Sequence, residues 1–409
     1  MPESPRRTVL RNARLLDGTG APPRAGVDVV LEGERIASVG AAGAGRDAEV
    51  IELQGRTLMP GLIDCHVHLT FTGEAQEVER AATIPVPDLA WAAATNARDT
   101  LEGGVTTVRD VGARAGVAIR LREAIAAGRV PGPRMRAAGA IICMTGGHGW
   151  FIGREADGPD DVRRAVREQL KAGADCIKFT ATGGGMTPGV DPRASSFTEV
   201  ELAAGVDEAH KAFRRAIAHA QGNAGIKTAV RAGIDSIEHG VYLDDAVIEE
   251  MRERGTFLVP TLVAPAMIAR HGTSAGIPEY VVTKASAVLD VHQESFRKAV
   301  RAGVRIAMGT DAGTPFNRHG ANAQELALMV EGGLSPAATI VAATRSAAEL
   351  LDLLDVTGTV EAGKAADLLI VDGDPLADIR ILGERDRLAG ILKNGRWVRR
   401  AHALGGSRP

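Results

Sequence analysis

Residues 59–70 read MPGLIDCHVHLT and place two histidines, His66 and His68, two residues apart in an apolar run. Because side chains alternate along a β-strand, both imidazoles point to one face. Pro60-Gly61 ends whatever element precedes this strand. Polar groups on a buried strand carry a desolvation cost that hydrogen bonds or a metal ion must offset. The pair alone equally fits two ordinary strand histidines, so further ligands are needed to predict a metal site.

The composition is that of a globular protein with a large core. The 409 residues suffice for one large α/β domain and a smaller one, and 45% of them are hydrophobic. A formal net charge of -3 without a basic stripe predicts no nucleic-acid partner and no membrane, and therefore a small-molecule substrate.

Cellular location is predicted from what the sequence lacks. Residues 1–20 contain no apolar core of a secretory signal, and no apolar run is long enough to span a bilayer. The cysteines Cys65, Cys143 and Cys176 lie in apolar strand-like runs without CxxC spacing. We therefore expect a cytoplasmic protein with buried thiols.

Short strand-like segments occupy both ends of the chain. Before residue 59 they read TVLRNARLL, DVVLEGERIASVG and AEVIELQGRTL, and near the other end ADLLIVDGDP and GILKNGRWV. Asn394-Gly395 is a two-residue hairpin signal. We therefore predict that residues 1–58 plus 355–409 form one β domain.

Between the two ends one unit recurs, in which a helix ends at glycine and a short apolar strand follows at once. The five copies are residues 101–108, 171–178, 231–239, 252–259 and 301–308. The helix over 160–172 has an apolar stripe, with Asp160 or Asp161 as its expected N-cap. This alternation predicts a parallel sheet.

Further strands at 59–69, 134–143 and 214–220 raise the number to eight. Eight parallel strands close a (β/α)8 barrel, which we place over residues 59–354. An open doubly wound sheet is the alternative, but no GxGxxG motif opens a helix after the first strand.

In such a barrel, catalytic groups lie at the C-terminal ends of the strands. Four further predicted strands end in ligand-type residues, namely Lys178, His219, His239 and Asp311. Lys178 is the most informative, because only eight of the 48 lysines and arginines are lysine. A buried lysine has a lowered pKa and can react as the neutral amine. With CO2 it would give a carbamate, a carboxylate-like ligand.

The order PGLIDCHVHL, IKF, AHA, SIEHG, GTDAG resembles the binuclear-metal amidohydrolase superfamily. Within that superfamily it is similar to the imidazolonepropionase-like branch, which includes Xaa-Pro dipeptidases and metal-dependent carboxypeptidases that act on N-acyl amino acids. The resemblance spans nearly the whole chain and implies a (β/α)8 barrel with a β-sandwich made from both termini. It implies two divalent metal ions, for which we expect zinc. Their implied ligands are His66, His68 and Asp311 for one ion, His219 and His239 for the other, and N6-carboxylated Lys178 as the bridge.

The resemblance also implies a mechanism. Two zinc ions would lower the pKa of a shared water to roughly 7. The resulting hydroxide would attack an amide carbonyl. Asp311 takes the proton and passes it to the leaving nitrogen, serving as base and then as acid. In the similar enzymes a histidine at the position of His148, in GGHGW, contacts the substrate carbonyl. Tyr242 is a further candidate for substrate binding.

One departure concerns specificity. Several dipeptide-cleaving relatives have tyrosine two residues after the fifth-strand histidine, where this chain has Gln221. Gln221 is kept as a substrate-binding candidate, but glutamine has no phenolic proton to donate. The candidates for binding a substrate carboxylate instead lie on predicted loops: Arg154, Arg193, Arg318 and His319.

The leading hypothesis is hydrolysis of amide C–N bonds in N-acyl amino acids or dipeptides. The alternative on the same site is hydrolysis of cyclic amides, aryl carbamates or urea-type compounds. A mononuclear deaminase has no use for Lys178, and a non-catalytic scaffold is disfavoured because all six ligand-type residues are present. The sequence leaves open the substrate, the native metal and the oligomeric state, a homo-oligomer included.

Overall fold

The computed structural model describes residues 7–40 and 48–404. Short hydrophobic strands open the chain, as predicted: β1 (Arg7–Leu15), β2 (Arg24–Glu32), β3 (Arg35–Val39), β4 (Glu49–Glu52) and β5 (Thr57–Pro60). β1 pairs antiparallel with β2 and parallel with β4 and β5.

Two parallel sheets follow, which makes the fold α/β. The first joins β6 (Leu62–Val67), β7 (Val105–Asp110) and β8 (Arg134–Ala137). The second has seven strands in the order β10-β9-β11-β12-β13-β14-β15. They are β9 (Ile141–Cys143), β10 (Gly153–Glu155), β11 (Cys176–Thr180), β12 (Arg215–Ala220), β13 (Ser236–His239), β14 (Phe257–Val259) and β15 (Arg305–Ile306).

Helices separate most of these strands, and the last three follow β15. They are α1 (Glu77–Thr83), α2 (Val86–Glu102), α3 (Val117–Ala126), α4 (Pro159–Ala172), α5 (Glu199–Lys211), α6 (Asn223–Arg231), α7 (Asp245–Arg254), α8 (Val263–His271), α9 (Glu279–Ala302), α10 (Gln324–Glu331), α11 (Pro336–Ala342) and α12 (Arg345–Leu350). Within residues 7–40 and 48–404, none is long and apolar enough to cross a membrane.

The helix ends test the prediction that each helix of the repeated unit ends at glycine. Gly103, Gly173, Gly255 and Gly303 are the C-caps of α2, α4, α7 and α9, which confirms the pattern in four of the five predicted copies. In the fifth copy the C-cap of α6 is Ala232, one residue before Gly233. The N-cap predicted for α4 is wrong. Gly158 occupies that position, while Asp160 and Asp161 lie in the first turn, where carboxylates still favour the positive end of the helix dipole.

The chain ends with β16 (Leu368–Val371), β17 (Leu388–Lys393) and β18 (Arg396–Arg400). These strands join β1–β5 in one mixed sheet, because β16 pairs with β5. The predicted hairpin at Asn394-Gly395 connects β17 and β18. A β domain of residues 1–58 plus 355–409 stays a prediction, and its positions 1–6, 41–47 and 405–409 lie outside the described residues.

Two predicted strands are each divided. The strand predicted over 59–69 is the end of β5 followed by β6, with Gly61 between them. A Cβ on Gly61 would lie 2.1 Å from Oγ1 of Thr106, so only glycine permits this close approach. The strand predicted over 134–143 breaks near Gly139, whose φ is 77°, into β8 and β9 of different sheets.

The first and last strands of the parallel region meet at their carboxyl ends. The Cys65 amide donates to the carbonyl of Met308 at 2.9 Å, and the Asp311 amide donates to the carbonyl of His66 at 2.8 Å. The segment after β15 therefore runs beside β6 and brings Asp311 next to His66.

Candidate metal centre

The first group of candidate ligands lies where β6 meets the segment after β15. Oδ1 of Asp311 is 3.3 Å from Nε2 of His66 and 3.5 Å from Nε2 of His68. The ligand atoms of these three residues all lie within 4.8 Å of one another. Two imidazole nitrogens and one carboxylate oxygen are donors that divalent zinc, manganese and cobalt accept.

The second group lies beside the first. The ring centroids of His219 and His239 are 4.5 Å apart, and those of His66 and His239 are 5.1 Å apart. Lys178, His219 and His239 line the same cavity as the first group. The structure therefore brings together all six residues that the sequence proposes as ligands.

Lys178 is the unusual member of this set. Its side chain is buried, and its Nζ has no hydrogen-bond partner among the described residues. Burial lowers the pKa of Lys178 to about 8, because the charged ammonium loses its hydration. An orphaned amine beside four imidazoles and a carboxylate fits a lysine that is modified to a metal ligand.

The four candidate histidines share one arrangement of hydrogen bonds. Each uses one ring nitrogen in a hydrogen bond to a protein oxygen, which fixes the ring and leaves the other nitrogen free for an ion. The contacts are His66 Nδ1 to Glu238 Oε2 at 2.7 Å, His68 Nδ1 to the Gly112 carbonyl at 2.9 Å, His219 Nε2 to the Gly183 carbonyl at 2.9 Å, and His239 Nδ1 to Thr261 Oγ1 at 2.6 Å.

A buried charge network supports His66, and sequence reasoning missed it. Glu238, whose side chain is 0% exposed, accepts from Arg109 at 2.8 Å and from the Ser236 hydroxyl at 2.5 Å. Burial alone would raise the pKa of Glu238, but the Arg109 guanidinium and the His66 ring hold it at about 2. The available signal was the one used for Lys178, an ionisable residue within a buried strand.

Backbone strain is concentrated at the same place. His239 and Asp311 have φ values of 73° and 58°, and Thr261, which contacts His239, has a φ of 53°. Residues other than glycine rarely adopt this left-handed backbone conformation, and such strained residues cluster at functional sites. The imidazoles of His66 and His68 also hold the pKa of Asp311 well below its usual range, against the effect of burial.

His148 faces this cavity from the loop after β9. Its Nδ1 lies 2.8 Å from the Thr187 hydroxyl oxygen, and its ring centroid lies 4.4 Å from that of His219. Burial lowers the pKa of His148 to about 3, so the ring is neutral at physiological pH. Since Thr187 Oγ1 already accepts from the Gly149 amide, its hydroxyl proton is available to Nδ1.

The two other substrate-binding candidates are placed differently. Gln221 lines the cavity, and its main-chain N–H donates to Thr182 Oγ1 at 2.9 Å. Tyr242 does not line it; its neighbour Val241 does. The main chain of Tyr242 instead contacts Gln221 and Asn223 beside the strand ends.

The candidates for binding a carboxylate are engaged elsewhere. Arg154 pairs with Asp161 and Glu168, and Arg193 pairs with Asp191. The remaining two differ in exposure. Arg318 is exposed, whereas His319 is buried with Nε2 near the carbonyls of His68 and Phe71. None of the four lines the cavity, whose lysines are Lys178 and Lys284.

Most of the remaining cavity wall is apolar. One side carries Phe71, Ile141 and Ile152, and the other carries residues of α8 and α9, among them Ile268 and Val281. The cavity measures about 930 Å³, the solvent at its mouth included. The apolar wall is suited to contact with apolar parts of a substrate.

Fold and site together define a class: an α/β protein whose parallel strands end in a cluster of histidines and a carboxylate that could hold a metal ion. Residues 57–398 match the amidohydrolase family, and the chain belongs to that family. It is therefore a hydrolase that acts on C–N bonds.

The chain is similar to several different enzymes of known name. Ochratoxinase from Aspergillus niger is 32% identical, over 95% of this chain and 86% of its own length. Imidazolonepropionase from Rhizobium rhizogenes is 27% identical, over 84% of this chain and 85% of its own. A crystal structure of a Xaa-Pro dipeptidase with methionine in its active site is 35% identical, with a TM-score of 0.88 over 96% of this chain and 99% of that one.

Proposed function

We propose that this protein hydrolyses amide C–N bonds in N-acyl amino acids or dipeptides with the help of two divalent metal ions. The main support is that all six candidate ligands line one cavity, and that the Nζ of Lys178 has no hydrogen-bond partner there among the described residues. The likeness to ochratoxinase and to a Xaa-Pro dipeptidase with bound methionine supports this choice of substrate.

We further propose the assignment of ligands. His66, His68 and Asp311 would hold one ion, for which we expect zinc, and His219 and His239 would hold the other. Lys178 would serve both ions as a bridging carbamate, formed when its neutral amine adds to CO2 and releases one N–H proton. We also propose that the terminal strands form the β-sandwich and that the two parallel sheets close a (β/α)8 barrel. In this barrel β8 and β9 together count as one strand and β10 is additional; the others are β6, β7, β11, β12, β13, β14 and β15.

Two side chains act on the substrate in this proposal. When bound, the ions supply hydroxide at neutral pH and polarise the scissile carbonyl. Asp311 takes the proton of the nucleophile and delivers it to the leaving nitrogen. His148 accepts from Thr187 at Nδ1, which leaves an Nε2–H to donate to the carbonyl oxygen.

The apolar wall favours a second candidate, hydrolysis of cyclic amides, aryl carbamates or urea-type compounds. A substrate carboxylate needs a cationic partner, and the four side chains expected to provide one do not line the cavity. A neutral substrate with an aromatic group needs none.

A substrate library separates the two candidates. Zinc-loaded protein is incubated with N-acyl amino acids, Xaa-Pro dipeptides, cyclic amides, aryl carbamates and phenylureas, and product amines are quantified. Release of amino acids from the first two classes supports the leading proposal. Turnover confined to the neutral classes selects the second.

Lys178→Arg tests the metal centre itself, because arginine keeps the charge but forms no carbamate. We expect the bound metal to fall below two equivalents per chain and the activity to be lost. A variant that keeps both ions and full activity contradicts the bridging role.

A further inference from the structure

The loop of residues 183–192, which follows β11, contacts two site histidines. The carbonyl of Gly183 accepts from Nε2 of His219, and the hydroxyl of Thr187 contacts Nδ1 of His148. These contacts select the ring nitrogen that each histidine turns toward the cavity. The geometry of both imidazoles therefore depends on where this loop lies.

The loop also packs directly against His148. A Cβ on Gly184 would lie 2.5 Å from both Cε1 and Nε2 of the imidazole. No such contact exists at the next residue, since a Cβ on Gly185 would meet nothing within 4 Å. The ring and the loop backbone are fitted to each other at Gly184.

Two side chains of helix α9, one turn apart, hydrogen-bond to the backbone of this loop. Lys284 Nζ donates to three loop carbonyls, and the Tyr280 hydroxyl donates to a fourth. The distances are 3.3 Å to Gly184, 2.8 Å to Thr187, 2.6 Å to Val190 and, from Tyr280, 3.1 Å to Met186. One ammonium thus ties together carbonyls spread over seven residues of a glycine-rich segment.

These contacts use all three protons of the Lys284 ammonium. Lys284 lines the cavity, so binding of a substrate carboxylate is the rival role. That role would require the ammonium to release loop carbonyls that have no other side-chain donor among the described contacts. Gly184 and Thr187 are buried, and a buried carbonyl without a donor is costly, which favours the loop as the partner of Lys284.

We propose that Tyr280 and Lys284 are positioning residues, which clamp the 183–192 loop to α9 and thereby hold His148 and His219 in place. The clamp is a property of the loop and α9. Only its effect on catalysis rests on the proposed function.

Hydrogen–deuterium exchange of the metal-loaded protein tests the clamp without any substrate. In Lys284→Met we expect the amides of residues 183–192 to exchange at least about tenfold faster, while those of β11 and β12 do not change. Tyr280→Phe should give a smaller increase at the same peptides. The matched control is Lys298→Met, which removes an exposed lysine of α9 that pairs with Asp245. Unchanged loop exchange in Lys284→Met overturns the proposal.

Kinetics separate the clamp from the rival role. A misplaced His148 should lower kcat by about tenfold or more for carboxylate-bearing and neutral substrates alike. A rise in KM confined to carboxylate-bearing substrates, without faster loop exchange, makes Lys284 a substrate receptor and overturns the clamp. If the unaltered protein hydrolyses none of the amides but Lys284→Met still loosens the loop, the proposed function fails and the clamp stands.

Discussion

Replacing Glu238 by glutamine should weaken metal binding although Glu238 is not itself a ligand. The carboxylate accepts from Nδ1 of His66 at 2.7 Å and from Arg109 at 2.8 Å, and no part of its side chain is exposed. The Arg109 guanidinium and the His66 ring lower the pKa of Glu238 to about 2, so the carboxylate is anionic at neutral pH. The anion therefore fixes the His66 ring and raises the basicity of Nε2, the atom that faces Asp311.

The size of the effect follows from these contacts. Glutamine keeps the shape and one acceptor oxygen but removes the negative charge. Loss of such a partner to a ligating histidine lowers metal affinity about 10- to 100-fold, which equals about 1.4 to 2.7 kcal/mol. Arg109 would also lose its buried counterion, at a cost of about 3 kcal/mol or more in the free energy of unfolding.

Competition with a chromogenic chelator measures the loss of metal affinity, and urea unfolding of the metal-free protein measures the loss of unfolding free energy. Glu249→Gln is the matched control, because Glu249 is half-exposed and pairs with Arg252 on the surface of α7. The reasoning is refuted if folded Glu238→Gln binds both ions as tightly as the control does.

Three further substitutions have defined outcomes. Gly184→Ala should displace the His148 ring and lower kcat at least about tenfold, whereas Gly185→Ala, facing open space, should not; equal kinetics for the pair would contradict the packing. Asp311→Asn should lower kcat more than it lowers zinc content measured by mass spectrometry, since the carboxylate is both ligand and base. His292 is buried with a pKa lowered from 6.5 to about 4, so the unfolded chain binds its proton first as the pH falls. Unfolding free energy of metal-free protein should therefore decrease between pH 6.5 and 4, by up to about 3 kcal/mol from this residue, and less steeply in His292→Gln.

The positions of the candidate ligands were predictable because parallel strands impose them. Carboxyl ends of neighbouring strands meet at one edge, so Lys178, His219 and His239 converge once the strands are recognised. The same rule brings His66 and Asp311 together, although Asp311 follows a strand of only two residues. Glycine at the helix ends located most of these strands in advance.

Other parts of the site had weaker signals. Arg109 and Glu238 are ionisable residues in buried strands, the same oddity that singled out Lys178, and that reasoning would have found them. Tyr280 and Lys284 look like ordinary polar positions on an amphipathic helix, because their partners are backbone carbonyls of a distant loop. The prediction that Arg154 lies on a loop is wrong, because it belongs to the short strand β10, where it pairs with Asp161. Loop conformation has no local code, so sequence could not show that Arg193 is paired away from the cavity.

The two sides of the site are built by different physical means, and this sets what each can tolerate. His66 is held by a buried ion pair within strands, where a change leaves an unpaired charge and costs both metal and stability. His148 is held by loop backbone and two side chains of α9, which can shift without exposing the core. Changes around the 183–192 loop should therefore lower kcat while the free energy of unfolding stays nearly unchanged, and changes around Glu238 should lower both metal affinity and the free energy of unfolding.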